Sequence, residues 1–468
     1  MTKHPSQRPN WWTLLKDALR GNEYDYTQGS LNKAIFLLAI PMVFEMLMES
    51  VFALVDIYFV SQVSTNAVAT IGLTESVISL IYAVAVGISM AATAVIARRV
   101  GEGNHEGAKH AATQVIYLGL GVSTVFSLVG IFYAKEILGL MKAAPDLIEE
   151  GYQYTQILIG GNITIVLLFL INAIFRGAGN ASYAMWVLIF SNGLNIVLDP
   201  LFIFGLGPFP ELGVKGAAVA TTIGRGSAVV LQLLLLWLGK SRIQLAFRHL
   251  KLQLAIVANL IRISWGGIGQ FLIGTSSWVF LMRIMSEFGS EVLAGYTIAI
   301  RIVIFCLMPA WGLSNAAATL VGQNLGANAP ERAEKAVWQT GKYNALFMGT
   351  LSIIFLIWSK PIVNFFSPVP QVIDTASLCL RVFALGYVFY AFGMVLIQSF
   401  NGAGDTKTPT YINLVCFWMF QLPLAYFTAL TLAWGPVGVM VAIVSAEIVL
   451  TLVSAYYFCL GKWKTTNV

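Results

Sequence analysis

The stretch Gly87-Ile88-Ser89-Met90-Ala91-Ala92-Thr93-Ala94 returns 225 positions later as Gly312-Leu313-Ser314-Asn315-Ala316-Ala317-Ala318-Thr319. A second pair, Phe175-Arg176-Gly177-Ala178-Gly179-Asn180 and Phe400-Asn401-Gly402-Ala403-Gly404-Asp405, is separated by the same distance. Two matching stretches with a single offset indicate an internal duplication. The chain is therefore predicted to consist of two equivalent halves.

The composition is that of a membrane protein. Hydrophobic residues make up 57% of the 468 residues, charged residues make up 11%, and the mean hydropathy is +0.76. A soluble domain carries roughly 25% charged residues. The net charge of +6 does not indicate a nucleic-acid partner, because the basic residues are spread over short loops and are not gathered on one face.

Hydrophobic periodicity and length predict an all-α integral membrane protein with twelve transmembrane helices in two pseudo-symmetric six-helix lobes. The predicted spans are 31–60, 66–98, 107–138, 150–176, 181–205, 214–239, 256–288, 291–323, 332–364, 372–402, 408–431 and 436–461. The resulting segments are a cytoplasmic N-terminal tail (1–30), an N-lobe (31–239), a cytoplasmic inter-lobe linker (240–255), a C-lobe (256–461) and a cytoplasmic C-terminal tail (462–468). Within the first tail, residues 11–20 form either a short amphipathic helix at the membrane interface or part of a disordered tail.

The distribution of Lys and Arg predicts that both termini lie in the cytoplasm. If the N-terminus is inside, the outer loops contain only Lys135, Lys142, Lys215 and Lys360, and the inner segments contain most of the 28 basic residues. An excess of basic residues marks the cytoplasmic side of a membrane protein. We therefore expect a multi-pass protein of the cell (inner) membrane, and we expect a monomer.

The sequence contains no signature of an enzyme or of a bound cofactor. Its four cysteines lie inside predicted spans without metal-ligand spacing, and its four histidines lie in the tail or the loops. It has no Walker A motif, so ATP is not expected to drive transport. Uphill movement of a solute would then need an ion gradient, with either H⁺ or Na⁺ as the coupling ion.

The first predicted span carries three acids, Glu45, Glu49 and Asp56, beyond Pro41. At about 100° per residue these acids lie within roughly 40° of one another on one face of the helix. Acids inside a membrane are costly and are functional by default. For Glu45 and Glu49 the alternative is an ion pair with Arg or a hydrogen bond across the bundle. Pro41 leaves the Leu37 carbonyl without its helical partner, and we expect the helix to bend there.

The positions that correspond to these acids in the second half are Gln270, Gly274 and Leu281. None of them is an acid. The sequence therefore predicts that the charged site lies in the N-lobe, as part of a cavity between two helical repeats.

The stretch Asn195-Ile196-Val197-Leu198-Asp199-Pro200 is the second candidate site. Asn195 and Asp199 are one turn apart on one face, and Pro200 cannot donate to the carbonyl of Ile196. Carboxylate, amide and carbonyl oxygens suit Na⁺ or a shared proton. The alternative is that Pro200 ends the helix and leaves Asp199 in water at its outer end.

Together these elements resemble the multidrug and toxic compound extrusion (MATE) family over nearly the whole chain, and the prokaryotic, DinF-like branch in particular. The similarity rests on Pro41 and Asp56 of the first helix, the Asn195-x-x-x-Asp199-Pro200 element of the fifth, the Gly213-Val214-x-Gly216-Ala217-Ala218-x-Ala220-Thr221 start of the sixth, and the paired Gly-Ala-Gly turns. It implies that Asp56, Asn195, Asp199 and Thr221 bind the coupling cation, H⁺ or Na⁺. Glu45 and Glu49 replace the apolar or amide residues usual at their positions, and we interpret them as part of the substrate cavity.

The resemblance implies a multidrug efflux antiporter that exports cationic, amphipathic organic compounds in exchange for H⁺ or Na⁺ by alternating access. Two alternatives are a lipid-linked precursor flippase of the same superfamily and a membrane-embedded enzyme. A flippase is expected to have a cationic cavity for a pyrophosphate, whereas this cavity is predicted to be acidic. An enzyme is expected to show an intramembrane His, an Asp-rich motif or a metal-ligand cluster, and the sequence contains none of these.

Overall fold

The computed structural model describes residues 11–21, 24–239, 241–466 and 468, without the side chains of Ile57, Ser61, Thr65 and Phe247. Residues 1–10, 22 and 23 of the predicted N-terminal tail, residue 240 of the predicted linker and residue 467 of the predicted C-terminal tail lie outside the described residues. The regular secondary structure of the described chain is helical throughout, with no strand.

Twelve spans in this described part are long and apolar enough to cross a membrane, which confirms the predicted all-α, twelve-helix fold. After a short helix α1 (Trp11–Arg20), the spans are α2 (Leu31–Ser61), α3 (Thr65–Gly101), α4 (His105–Leu140), α5 and α6 (Pro145–Gly160 and Ile163–Ala178), α7 (Ala181–Phe204), α8 (Val214–Trp237), α9 (Leu254–Ser286), α10 (Ser290–Gly326), α11 (Pro330–Asn364), α12 (Pro370–Ala403), the composite α13 (Lys407–Asn413), π-helix Leu414–Gln421, α14 (Leu422–Tyr426) and π-helix Phe427–Thr431, and finally α15 (Pro436–Cys459).

Helix α1 corresponds to the helical one of the two alternatives predicted for residues 11–20. The Leu19 carbonyl accepts a hydrogen bond from the indole nitrogen of Trp186 on α7 (2.8 Å), and Ala18 is buried. Trp11 and Trp12 are exposed on the other face. This short helix is therefore anchored to the N-lobe by one side and presents an aromatic pair to its surroundings.

The fourth span differs from the single continuous helix predicted over 150–176. It is interrupted at Gly161 and Asn162, between α5 and α6. The side-chain amide of Asn162 donates to the carbonyls of Ile159 (2.6 Å) and Ser123 (3.2 Å). Such side-chain bonds compete with the helical ladder, and the adjacent glycine has a low helix propensity. Periodicity alone did not reveal this break.

The duplication is visible in the backbone. Gly179 ends α6 with φ of 84°, and Gly404 ends α12 with φ of 86°. This left-handed conformation favours glycine and makes the tight turn that the paired Gly-Ala-Gly motifs predict. The kinks inside α4 and α11, at Tyr133 and Trp358, are also 225 positions apart. The two halves thus repeat their irregularities as well as their helices.

The hydrophobic core is divided in the same way. One large cluster of buried residues is built mainly from α3 to α8, and a second from α9 to α15. Helix α8 ends at Trp237 and α9 begins at Leu254, on either side of the predicted linker. The domain boundaries at 31–239, 240–255 and 256–461 stay predictions.

The lobes pack tightly at the end of the bundle that carries both chain ends, which we call the terminal face. A Cβ atom at Gly101 of α3 would lie 2.0 Å from the carbonyl oxygen of Gln323 of α10, and one at Gly326 would lie 2.2 Å from that of Arg98. The Gln323 amide also donates to the carbonyl of Gly177 (2.9 Å). Only glycine allows backbones to approach so closely, so this face is closed.

Residues 24–30 lie between the two lobes at the terminal face. The hydroxyl of Tyr26, a buried side chain, donates to the carbonyl of Gly179 in the N-lobe (3.1 Å). The guanidinium of Arg332, on α11 of the C-lobe, donates to the carbonyl of Gly29 (3.0 Å). The segment that precedes the N-lobe is therefore tied to the C-lobe.

The C-terminal segment makes the reciprocal contact. Arg98, at the end of α3 in the N-lobe, donates from Nη2 to the carbonyl of Thr466 (2.6 Å). Trp463 is fully buried and stacks on Phe458 of α15, which fixes the segment to its own lobe. Each chain end is thus bound to the opposite lobe.

Candidate functional site

Helix α2 carries the three predicted acids through the N-lobe. It begins after Ser30, whose hydroxyl caps the Lys33 amide, and it runs to Ser61 without a break. The helix is continuous through Pro41, although the proline removes one helical hydrogen bond. That Pro41 allows the helix to bend in another state stays a prediction.

Glu45 lies in the interior of the bundle, with 1% of its surface exposed. Its Oε1 accepts a hydrogen bond from Nη1 of Arg176, in the last turn of α6, at 2.7 Å. A buried carboxylate is tolerated when it is paired with a cation in this way. Of the two readings of Glu45, the structure shows the ion pair, and its contribution to a substrate cavity stays a prediction.

In the C-lobe the equivalent positions carry an uncharged version of this pair. Gln270 corresponds to Glu45 and Asn401 corresponds to Arg176, both at the offset of 225. The Gln270 amide donates to Oδ1 of Asn401 (2.9 Å), and the Asn401 amide donates back to Oε1 of Gln270 (3.1 Å). The same joint between two helices is therefore made by an ion pair in one lobe and by two amides in the other.

Glu49 lies one turn further along α2, and its charge interacts with that of Arg225 on α8. The Arg225 guanidinium donates from Nη1 to the hydroxyl of Tyr82 (3.1 Å), and its carbon lies 5.3 Å from the centre of the Phe52 ring. Its positive charge interacts with the carboxylates of Glu49 and Asp56. The sequence analysis did not assign Arg225 to the site. An arginine within a membrane span, which needs an acidic partner, was the signal that could have found it.

Arg225 and Glu447 occupy equivalent positions in the two lobes. Helices α8 and α15 follow Gly213 and Gly435, whose backbone angles are closely similar (φ 57° and ψ −137°, against φ 63° and ψ −145°). Arg225 and Glu447 each lie twelve residues after that glycine. Among the described residues, Oε2 of Glu447 is buried and has no hydrogen-bond partner. The lobes thus carry a basic and an acidic residue at one position of the repeat.

The second predicted element joins α7 to α8. Helix α7 continues through Pro200 to Phe204, and Asp199 is fully buried, which excludes the alternative that Asp199 lies in water. In the amide orientation that satisfies both neighbours, Asn195 donates to Oδ2 of Asp199 (2.9 Å) and accepts from the hydroxyl of Thr221 (3.3 Å). Asn195, Asp199 and Thr221 are therefore brought together, although the third lies on a different helix.

Asp56 approaches this group from α2. Its Oδ1 is buried and has no hydrogen-bond partner among the described residues. Its charge interacts with those of Asp199, Arg225 and Glu75. The side chains of Asp56, Asn195, Asp199 and Thr221 offer only oxygen ligands to a cation, and such hard oxygens suit Na⁺ or a proton. The unpartnered Asp56 oxygen is the ligand that such a cation would satisfy.

The fold and this arrangement were compared with known proteins. The MatE family model matches residues 41–201 and 268–427, once in each half of the chain. The chain belongs to the MATE family. This MATE protein is 26% identical over 456 residues to the probable multidrug resistance protein NorM of Thermotoga maritima, with 97% of each chain covered.

Solved MATE structures have the same fold. A crystal structure of MATE in the straight conformation superimposes with a TM-score of 0.88 at 26% identity, covering 94% of this chain and 98% of the other. An outward-facing multidrug resistance MATE transporter gives a TM-score of 0.88 at 25% identity, with the same coverage. The protein is therefore a multi-pass membrane transporter of the multidrug efflux family and not an enzyme, as the sequence predicted.

Proposed function

We propose that this MATE transporter exports cationic, amphipathic organic compounds in exchange for H⁺ or Na⁺. The observation that carries the proposal is the buried Oδ1 of Asp56, which has no hydrogen-bond partner among the described residues, in a carboxylate whose charge interacts with that of Asp199. A carboxylate oxygen without a donor is destabilised in a membrane interior. Binding of a cation relieves that cost, so the occupancy of this site is sensitive to the ion gradient.

Exchange follows from competition between the two ligands. In our proposal the coupling ion binds Asp56, Asn195, Asp199 and Thr221, and the drug occupies the adjoining cavity. If each ligand weakens the binding of the other, linkage requires the effect to be reciprocal. A protein that rocks around this site then exports drug as it admits the ion.

Of the two glutamates predicted to line the substrate cavity, Glu49 is the one that we propose to face the drug. Glu45 is buried against Arg176, and its charge is already compensated by a contact of 2.7 Å. Glu49 is half-buried and forms no ion pair of that length among the described residues. Aromatic neighbours such as Phe52 and Tyr82 add cation–π and apolar contacts for a flat organic cation.

We further propose that the terminal face is cytoplasmic, in the inner membrane, and that the transporter acts as a monomer. Arg98, Arg332 and Lys464, which belong to the predicted inner segments, lie at this face, and the positive-inside rule favours a cytoplasmic location for it. In this state the face is closed by the glycine contacts of α3 with α10. The cavity therefore opens outward in our proposal, and bending of α2 at Pro41 belongs to the return step.

Proteoliposomes with one imposed gradient at a time test this function. We expect export of a cationic dye to be driven by ΔpH or by ΔNa⁺ and to stop when that gradient is dissipated. Dye export that ignores both gradients would refute ion-coupled antiport. Translocation of a lipid-linked sugar, instead of the dye, would favour the flippase.

A further inference from the structure

Arg225 is surrounded by the kinds of groups that bind an organic cation. Its guanidinium lies 5.3 Å from the centre of the Phe52 ring and donates to the Tyr82 hydroxyl at 3.1 Å. Its charge interacts with the carboxylate of Glu49. An aromatic face, a phenol oxygen and an acid are the groups with which proteins recognise cationic ligands.

We propose that Arg225 is a tethered cation that occupies the cation subsite of the N-lobe, so that a cationic substrate binds there by displacing the guanidinium. The inference rests on the proposed efflux function and deepens it, because it names the residue that limits the preference for positive charge. A neutral compound does not compete with the guanidinium. Arg225 therefore reduces the extent to which Glu49 raises the affinity for a cationic compound above that for a neutral one.

The charge balance supports this role. The groups that interact with Arg225 are Glu49 and Asp56 on α2, Tyr82 on α3 and Tyr154 on α5. Among the described residues, Arg225 is the cation whose charge interacts with Glu49, and Arg176 is paired with Glu45. When the guanidinium moves away, the negative charge of Glu49 becomes available to a soluble cation. This exchange keeps the number of charges in the pocket constant.

The repeat provides an independent argument. At the equivalent position of α15 the C-lobe carries Glu447, an acid in place of the arginine. The repeat therefore accommodates both a guanidinium and a carboxyl group at this position, so the fold itself does not require an arginine there.

The proposal is tested by equilibrium binding to the purified full-length transporter in detergent, without an ion gradient. The probes are tetraphenylphosphonium, a cation, and tetraphenylsilane, a neutral compound with the same four phenyl groups on a tetrahedral centre. We expect Arg225→Gln to increase the affinity for the cation on the order of tenfold, about 1.4 kcal/mol, and to leave that for the neutral probe unchanged. Arg225→Lys, which retains the charge, should preserve the wild-type ratio of the two affinities.

Glu49→Gln completes a double-mutant cycle with Arg225→Gln. Alone, it removes one of the two acids that interact with Arg225 and should lower the affinity for the cation relative to the neutral probe. Combined with Arg225→Gln, it should return the ratio close to that of the wild type, because both charges are then absent. Tyr82→Phe, which removes only the hydrogen bond at 3.1 Å, should shift the ratio in the same direction as Arg225→Gln but by less.

Two results would overturn the tethered cation. One is a ratio of the affinity for the cation to that for the neutral probe that falls or does not change in both Arg225→Gln and Tyr82→Phe. Binding of the neutral probe shows that these variants are folded. The other is the same ratio for Arg225→Gln and Arg225→Lys. Because no gradient is applied, a transporter that fails to couple dye export to ΔpH or ΔNa⁺ would refute the proposed function separately.

Discussion

Arg176 holds Glu45 through a contact of 2.7 Å at the position where the C-lobe joins Asn401 to Gln270 through two amides. The two lobes therefore make the equivalent contact between two helices with charged side chains in one lobe and with neutral amides in the other. Removing one partner of a buried ion pair leaves an uncompensated charge, whereas replacing both partners with groups that satisfy each other is far less costly.

Arg176→Asn alone should destabilise the transporter by about 3–5 kcal/mol, because the carboxylate of Glu45 loses its cation in a buried site. The double variant Glu45→Gln/Arg176→Asn copies the C-lobe arrangement and should recover most of that loss. Thermal unfolding in detergent measures both effects. A double variant as unstable as the single one would show that the ion pair has a role beyond joining α2 to α6.

Asp56→Asn should leave the protein folded and able to bind drug, and it should abolish gradient-driven efflux. The amide keeps the shape of the side chain but cannot gain and lose a charge with the coupling ion. Drug binding in detergent and dye efflux in proteoliposomes, measured on the same preparation, separate the two properties. Efflux at the wild-type rate against a drug gradient would remove Asp56 from the coupling step.

Asn195→Ala and Asp199→Asn should each weaken the same ion step, because the two side chains are hydrogen-bonded to each other and the charges of Asp199 and Asp56 interact. Neither should add much to the defect of Asp56→Asn, since residues of one cage are not independent. The check is the dependence of efflux on ion concentration in single and double variants. Losses that multiply would indicate separate sites on α2 and α7.

Gly101→Val should open the terminal face. A Cβ atom at this position would lie 2.0 Å from the carbonyl oxygen of Gln323, so the lobes must separate to accept the larger side chain. In a background without the native cysteines, maleimide labelling of Thr319→Cys, a buried position at this seam, should become several times faster. Gly121→Val is the matched control, because no atom lies within 4 Å of its added Cβ. Equal labelling in both variants would mean that the contact at Gly101 does not hold the face closed.

The sequence predicted the elements whose signals are local. Hydropathy located the spans, the repeated Gly-Ala-Gly motifs located the duplication, and the one-turn spacing of Asn195 and Asp199 placed both on one face of a helix. The break at Asn162 escaped prediction, because it depends on a bond to Ser123 of another helix. Local patterns carry no information on such partners.

The charge balance of the site could not be predicted for the same reason. The helical face of α2 shows that Glu45 and Glu49 point in similar directions, but it does not show which arginine meets each of them. Arg225 on α8 meets Phe52 on α2 and Tyr82 on α3, and Tyr82 is 143 residues away in the sequence. The equivalence of Arg225 to Glu447 was hidden as well, because the offset is 222 in this last helix of each half instead of 225.

The crossed attachment of the chain ends has a consequence for how the protein is handled. Arg332 donates a hydrogen bond to the segment before α2, and Arg98 donates one to the segment after α15, so both segments bridge the seam between the lobes. Separation of the lobes at this seam must break both hydrogen bonds. A bulky group attached within residues 24–30 or at Thr466 would strain these contacts and bias the cycle without touching the pocket, whereas a pair of small fluorophores on these two segments would report each opening.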